Sequence, residues 1–136
     1  MVGVIIITHL DLGEALLKAA ENILGPQEMC ISISLDSNKE MDESISALQQ
    51  AVEEVDMGEG VLILTDMFGG TPSNLSMSLL GAGNYEVVTG VNLPLLLKLF
   101  GNREMSLEDL AVEVKSAGRQ GILVAGEVLR RKVSNG

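Results

Sequence analysis

Residues 61–74 read VLILTDMFGGTPSN, and the fold turns on how this stretch is read. Val61-Leu62-Ile63-Leu64 is a short apolar run, the pattern of a parallel strand covered on both faces. Thr65 and Asp66 follow it, so Asp66 stands at the strand's carboxyl end, where open α/β sheets place their chemistry. Phe68, Gly69 and Gly70 then form a tight loop, because glycine lets the backbone bend sharply and approach a ligand. Pro72 suits the first turn of a helix, and Thr71 before it reads as the N-cap. Free N–H groups at a helix start favour an anion, which makes phosphate the natural ligand to consider. An ordinary strand–turn–helix fits the same residues. The pattern is neither GxGxxG nor a Walker loop, so it implies no nucleotide.

The segments on either side repeat the strand–helix alternation. GVIIIT, from Gly3 to Thr8, is a β-branched strand, followed by a loop from His9 to Gly13. Residues 14–24 place Ala15, Leu16, Ala19, Ala20, Ile23 and Leu24 on one helical face, and Gly25-Pro26 stops the helix. Residues 29–35, MCISISL, alternate as an edge strand does. After a turn at Asp36-Ser37-Asn38, residues 39–55 form a polar helix with one apolar side. The helix from Pro72 carries Leu75, Leu79 and Leu80 to Gly81. A fourth strand spans Glu86 to Thr89, and Pro94 opens a Leu-rich helix. Ser106 caps a helix that Gly118 is expected to end, and residues 121–125 read as a fifth strand. The tail carrying Arg130, Arg131 and Lys132 fits a last helix or a strand end equally well. The expected fold is one α/β domain over residues 1–136, with a mostly parallel central sheet and helices on both faces.

Composition narrows the function. Hydrophobic residues make up 46% of the chain and aromatic ones 2%, so the core must be aliphatic and Phe68 is placed as an exposed aromatic. The methionines, being spread out, read as core filler. A net charge of −10 argues against nucleic acid or an anionic membrane as a partner. Cys30 is the one cysteine, which excludes a disulfide framework and reads as a small core residue. No apolar run reaches the ~18 residues of a membrane span. Met1-Val2-Gly3 leads straight into a strand without a basic region, so no signal peptide is expected and a cytoplasmic setting is the default.

His9 is the one histidine, and it leaves the first strand at the same sheet edge as Asp66. If those strands are neighbours, Asp66 accepts a hydrogen bond from one ring nitrogen and the other nitrogen is left as a nucleophile. The loop from Gly69 to Ser73 would then stabilise phosphoryl oxygens. A lone histidine after a strand also serves purely structural roles. One histidine with scattered carboxylates makes no metal site, and no cofactor is expected. Ser73 lies near the site without the GxSxG elbow of a hydrolase. Asp11 is read as a helix cap. Asn92 and Pro94, in TGVNLP, either border the site or form a turn and helix start.

Three segments together, GVIIITHLDLGEALLKAAENILG, VLILTDMFGGTPSN and VVTGVNLPLLL, resemble the IIA component of the mannose/fructose/sorbose class of the bacterial phosphotransferase system. The resemblance covers nearly the whole chain in order. It implies a parallel sheet covered on both faces and a homodimer that exchanges a C-terminal strand. It also implies a phosphoryl relay: the histidine phosphocarrier protein donates to His9, and a IIB component accepts the group for sugar uptake. Membrane components would be engaged only indirectly. His9 matches the phosphorylated histidine, Asp66 its orienting carboxylate, and Phe68, Gly69, Gly70 and Thr71 the loop bordering the phosphoryl group. Leu10, Ser73 and Asn92 fall at the border. Many members carry Gly directly after the histidine, where this chain has Leu10. No IIB domain is expected within residues 1–136, and a relay would then draw on IIB as a separate protein. The sugar is not encoded here, because the IIA component does not touch it. The same residues also fit a regulatory phosphohistidine module, the related subunit that feeds dihydroxyacetone kinase, or a small-anion binding domain.

Overall fold

The computed structural model describes residues 1–136 apart from Ser37, Lys39 and Gly136. The element order is β1 (Gly3–His9), α1 (Leu12–Leu24), β2 (Cys30–Leu35), α2 (Met41–Val55), β3 (Val61–Thr65), α3 (Thr71–Met77), β4 (Tyr85–Thr89), α4 (Leu93–Phe100), α5 (Leu107–Gln120) and α6 (Ala125–Asn135). The expected start of the second helix at Lys39, and Ser37 of the preceding turn, lie outside the described residues.

Four parallel strands form one sheet in the order β2-β1-β3-β4. β1 and β3 are its central pair, and their residues are buried from Gly3 to Thr8 and from Val61 to Thr65. That explains why both read as continuous apolar runs while the edge strand β2 alternates. Successive side chains of β1 point to opposite faces. Val4 and Ile6 join Leu62 and Leu64 under α1, α4 and α5, whereas Ile5 and Ile7 join Val61 and Ile63 under α2 and α3. Each fully buried Leu or Ile there contributes ~2 kcal/mol from apolar area removed from water. The chain leaves β1 toward β2 on one side, then returns to lay β3 on the other. The strand order therefore reverses between β1 and β3, which opens a crevice at their carboxyl ends.

Several expectations are corrected. Residues 121–125 form no strand: Ile122 is 78% exposed and the sheet stops at β4. With no strand beside it, an apolar stretch cannot close a ladder, whatever its β-propensity. Gly118 does not end α5, which continues to Gln120. A Cβ on Gly118 would sit 3.3 Å from the Asn92 side chain and Leu95, so the glycine permits close approach of α4 rather than a stop. The tail is helical, as α6. The buried face of α1 is Gly13, Leu16, Leu17 and Ala20, turned from the expected one, and Ile23 and Leu24 are exposed. Most methionines are on the surface: Met29, Met41, Met57, Met67 and Met77 are exposed, and Met105 packs against the core. α3 stops at Met77, and tight i→i+3 turns carry the chain through Leu79 and Leu80.

One core tie has no sequence signal of its own. Arg103 is buried, and its guanidinium donates to the carbonyls of Val2, Glu28 and Met29. It pins the start of β1 to the start of β2 at the amino end of the sheet. Cys30 is nearby, and burial pushes its thiol up to about 12, which keeps it protonated and unreactive.

Candidate functional site

The site forms because β1 and β3 are neighbours. Their pairing sets Ile7 against Thr65, so the next residues of each strand, leading to His9 and Asp66, emerge together at the carboxyl edge. Asp66 Oδ2 accepts the backbone N–H of His9 at 2.9 Å and lies 2.8 Å from its Nδ1. The second carboxylate oxygen, Oδ1, accepts the N–H of Met67 at 3.0 Å. Burial pushes the Asp66 carboxyl upward, but the bonds from the His9 backbone and ring and the His9 charge together outweigh it and hold the carboxyl below its usual range. An ionised carboxylate only accepts hydrogen bonds. Nδ1 must therefore carry a proton, and in the neutral form of the ring the lone pair is on Nε2. The His9 side chain is 51% exposed and that of Asp66 11%, so the carboxylate is shielded while the ring faces solvent.

The loop after Asp66 closes over one side of the ring. Gly69 has φ +88°, the left-handed region that glycine enters freely. A Cβ on Gly70 would lie 2.9 Å from His9 Cε1 and 3.4 Å from Nε2, so the bare backbone is what lets the loop reach the ring. The backbone N–H groups of Phe68 and Gly69 have no hydrogen-bond partner among the described residues. Phe68 is 70% exposed at the loop tip. Thr71 does not cap α3, contrary to expectation. It occupies the first helical position, Gly70 holds the cap position, and no side chain caps the helix. With Pro72 next in line, one start-of-helix N–H is simply missing, which lowers the demand for a cap.

On the opposite side, Thr8 does what Asp11 was expected to do. Asp11 stands at the N-cap of α1 without a side-chain bond, and Thr8 Oγ1 accepts the Gly13 N–H at 2.8 Å. Gly13 lets α1 sit this low, since a Cβ there would be 2.9 Å from Ile6 Cγ2. Leu10 takes φ +48°, a left-handed conformation that costs an L-residue ~1 kcal/mol or more. Its N–H donates to Leu35 O at 2.7 Å, which fixes the turn that follows His9.

The remaining expected residues divide. Ser73 is fully buried behind the loop, where its hydroxyl reaches Met77 Sδ at 3.7 Å rather than the crevice. Asn92 takes the helix-start reading: its Oδ1 accepts the Leu95 N–H and its Nδ2 donates to Gly118 O, both at 3.0 Å. β4 lies two strand spacings from β1, ~10 Å away, so Asn92 is not brought beside His9. Sequence reasoning missed Thr8, which could have been found as a hydroxyl five residues before a helix-start glycine. It also missed Thr65, whose buried Oγ1 has no hydrogen-bond partner among the described residues.

Fold and site together define a class: a small parallel α/β domain that presents a carboxylate-braced histidine beside a glycine loop. A family model described as the PTS system fructose IIA component, EIIA-man, matches residues 3–115. The chain belongs to this family of IIA components of the sugar phosphotransferase system. It is 31% identical over 133 residues to the fructose-specific EIIA component of Bacillus subtilis, covering 96% of this chain and 91% of that protein. It is 32% identical over 124 residues to the mannose-specific EIIAB component of Escherichia coli, covering 89% of this chain but 38% of that longer protein. Among solved structures, the phosphotransferase system component EIIA from Streptococcus agalactiae superposes with a TM-score of 0.86 at 29% identity, covering 93% of this chain and 99% of that one. No helix of the described residues is long and apolar enough to cross a membrane.

Proposed function

We propose that this chain is a phosphoryl carrier whose acceptor is Nε2 of His9. The observation that carries the reading is the Asp66 brace: with Nδ1 engaged at 2.8 Å, the neutral ring keeps its lone pair on Nε2, and the side chain is half exposed. In the proposed step, that lone pair attacks the phosphorus of a phosphohistidine on the phosphocarrier protein. The new P–Nε2 bond forms as the donor's N–P bond breaks and the donor imidazole leaves with its electron pair. Positive charge developing on the His9 ring is offset by the adjacent carboxylate. The free N–H groups of Phe68 and Gly69, with Gly70 and Thr71 beside them, are proposed to meet the phosphoryl oxygens. The group then passes to a IIB component in the cytoplasm for sugar uptake.

A homodimer is part of the same proposal. It is supported by the open edge of β4, by exposed Ile122, Leu123 and Val124, and by a groove of about 360 Å³ beside β4 lined in part by Val87, Val88, Ala111 and Val112. Residues 121–125 of one protomer are proposed to pair with that edge of its partner, which is how an open strand edge is normally protected.

The test is phosphotransfer from phosphoenolpyruvate through enzyme I and the phosphocarrier protein, with His9→Ala alongside. An acid-labile, base-stable phosphoryl group on the wild type alone is expected. Equal labelling of His9→Ala would overturn the reading. Labelled protein that transfers to no IIB component would point to a regulatory role for the same phosphohistidine.

A further inference from the structure

We infer that Leu10 is a specificity-determining contact for the protein that donates phosphate to His9, an inference that rests on the carrier reading. Leu10 is the residue after His9, and two of its properties are unfavourable in the isolated chain. Its backbone lies at φ +48°, which is strained for a residue with a Cβ. Its side chain is 64% exposed, so little burial within the protomer offsets that strain. The conformation is not loose: the Leu10 N–H bonds Leu35 O, and the Leu10 carbonyl lies 3.4 Å from Thr8 Oγ1. The backbone is thus held in a conformation that leaves an apolar side chain exposed on the residue directly after His9. Glycine would satisfy the same turn without strain, so the leucine side chain itself must be used.

The surroundings describe the occupant. Leu12, Met67 and Phe68 are also exposed, and they follow His9 and Asp66 closely in the chain, so both segments that carry the site expose apolar side chains. Around them, Asp11, Glu14, Asp36, Asp42 and Glu43 are exposed at the carboxyl edge, on a chain of net charge −10. An apolar centre inside an acidic rim fits a protein with a basic face and an apolar patch around its own phosphohistidine. A small phosphate donor would use neither feature. The inference commits to the phosphorylated donor protein as that occupant, with a IIB acceptor as the outcome that would overturn it.

The test compares Leu10→Gly and Leu10→Ala with wild type, using two donors: the phosphorylated phosphocarrier protein and phosphoramidate. Leu10→Gly removes both strain and side chain, whereas Leu10→Ala keeps most of the strain and removes the side chain. Both are expected to lower kcat/KM with the protein donor by about tenfold, mainly through KM. That loss should be much larger than any change with phosphoramidate, and Leu10→Gly should melt at or above the wild-type temperature. The inference is overturned if Leu10→Ala matches wild type with the protein donor, or if both donors lose equally, which would make Leu10 a backbone positioning residue. It is also overturned if the loss appears only on transfer to a IIB component. Wild type that takes phosphate from neither donor would sink the carrier reading itself, and this inference with it.

Discussion

One oxygen of Asp66, Oδ2, receives His9 twice: the backbone N–H at 2.9 Å and the ring Nδ1 at 2.8 Å. The pair joins residues 57 positions apart in the chain and fixes both where the ring starts and how it is turned. A carboxylate bonded only to the ring would orient it; bonded to the backbone as well, it also anchors the end of β1.

Asp66→Asn should therefore keep the fold and lose the chemistry. The amide can turn its NH₂ toward Nδ1 and so favour the wrong tautomer, and it supplies no charge to offset a developing imidazolium. The expected effect is a ~10–100-fold fall in phosphoryl transfer to His9, the range seen when an orienting partner of histidine is lost. Rapid-quench transfer kinetics, with melting temperature as the fold control, would check it. Stability has a pH signature too. The carboxyl is held below its ordinary 3.8, so its contribution is complete above the unfolded pKa and is lost as pH falls through the lower folded value. Urea unfolding between pH 5 and pH 2 should show a steeper acid decline in wild type than in Asp66→Asn.

Gly69 and Gly70 should respond differently to alanine. At Gly69 nothing lies within 4 Å of an added Cβ, so the cost is conformational, ~1 kcal/mol at φ +88°. At Gly70 the backbone is ordinary, but the methyl would press on the His9 ring at 2.9 Å. Gly69→Ala is expected to lower stability in urea titration, and Gly70→Ala to lower transfer rate with stability nearly intact, because a half-exposed ring can swing away.

Thr65→Val should stabilise the protein. The Thr65 hydroxyl is buried without a partner among the described residues, a state that costs ~1–3 kcal/mol relative to hydration. Valine keeps the shape and removes the orphaned group. A gain of ~1 kcal/mol in the unfolding free energy is expected. A loss of stability would mean that the hydroxyl is satisfied by a bound water.

Arg103→Ala should be among the most destabilising single changes, by ~3 kcal/mol, because it strands the buried carbonyl of Val2, removes the partner of the Glu28 and Met29 carbonyls and empties a buried side-chain site. Arg103→Lys should recover little of that, since one ammonium cannot span carbonyls from two strands as a planar guanidinium does. Chemical denaturation of both variants would check the difference.

Most of the site was legible before the fold was known, for a chemical reason. A histidine, a carboxylate and a glycine pair each ended or followed an apolar strand, and parallel strands must present those ends on one side. The brace itself depended on one further condition, that β1 and β3 be neighbours, which the pairing of Ile7 with Thr65 meets. Leu10 was visible as a residue out of place, but its left-handed backbone was not, because φ depends on how β1 ends against Leu35. Asn92 stayed open between two readings, because a motif after a strand looks the same whether its amide caps a helix or meets a ligand, and the structure shows the amide accepting the Leu95 N–H.

The sequence alone determined the α/β alternation, the aliphatic core, the edge character of β2 and the standing of His9 and Asp66 at the carboxyl ends of apolar strands. These follow from local periodicity and residue chemistry, which need no partner in space. Only the tertiary structure decided which face of α1 is buried, that Gly118 lies within α5, that Thr8 rather than Asp11 takes the helix-start N–H, and that residues 121–125 form no strand in the protomer. Each of these is settled by which surface packs against which, and a strand in particular exists only where another strand lies alongside to complete its hydrogen bonds.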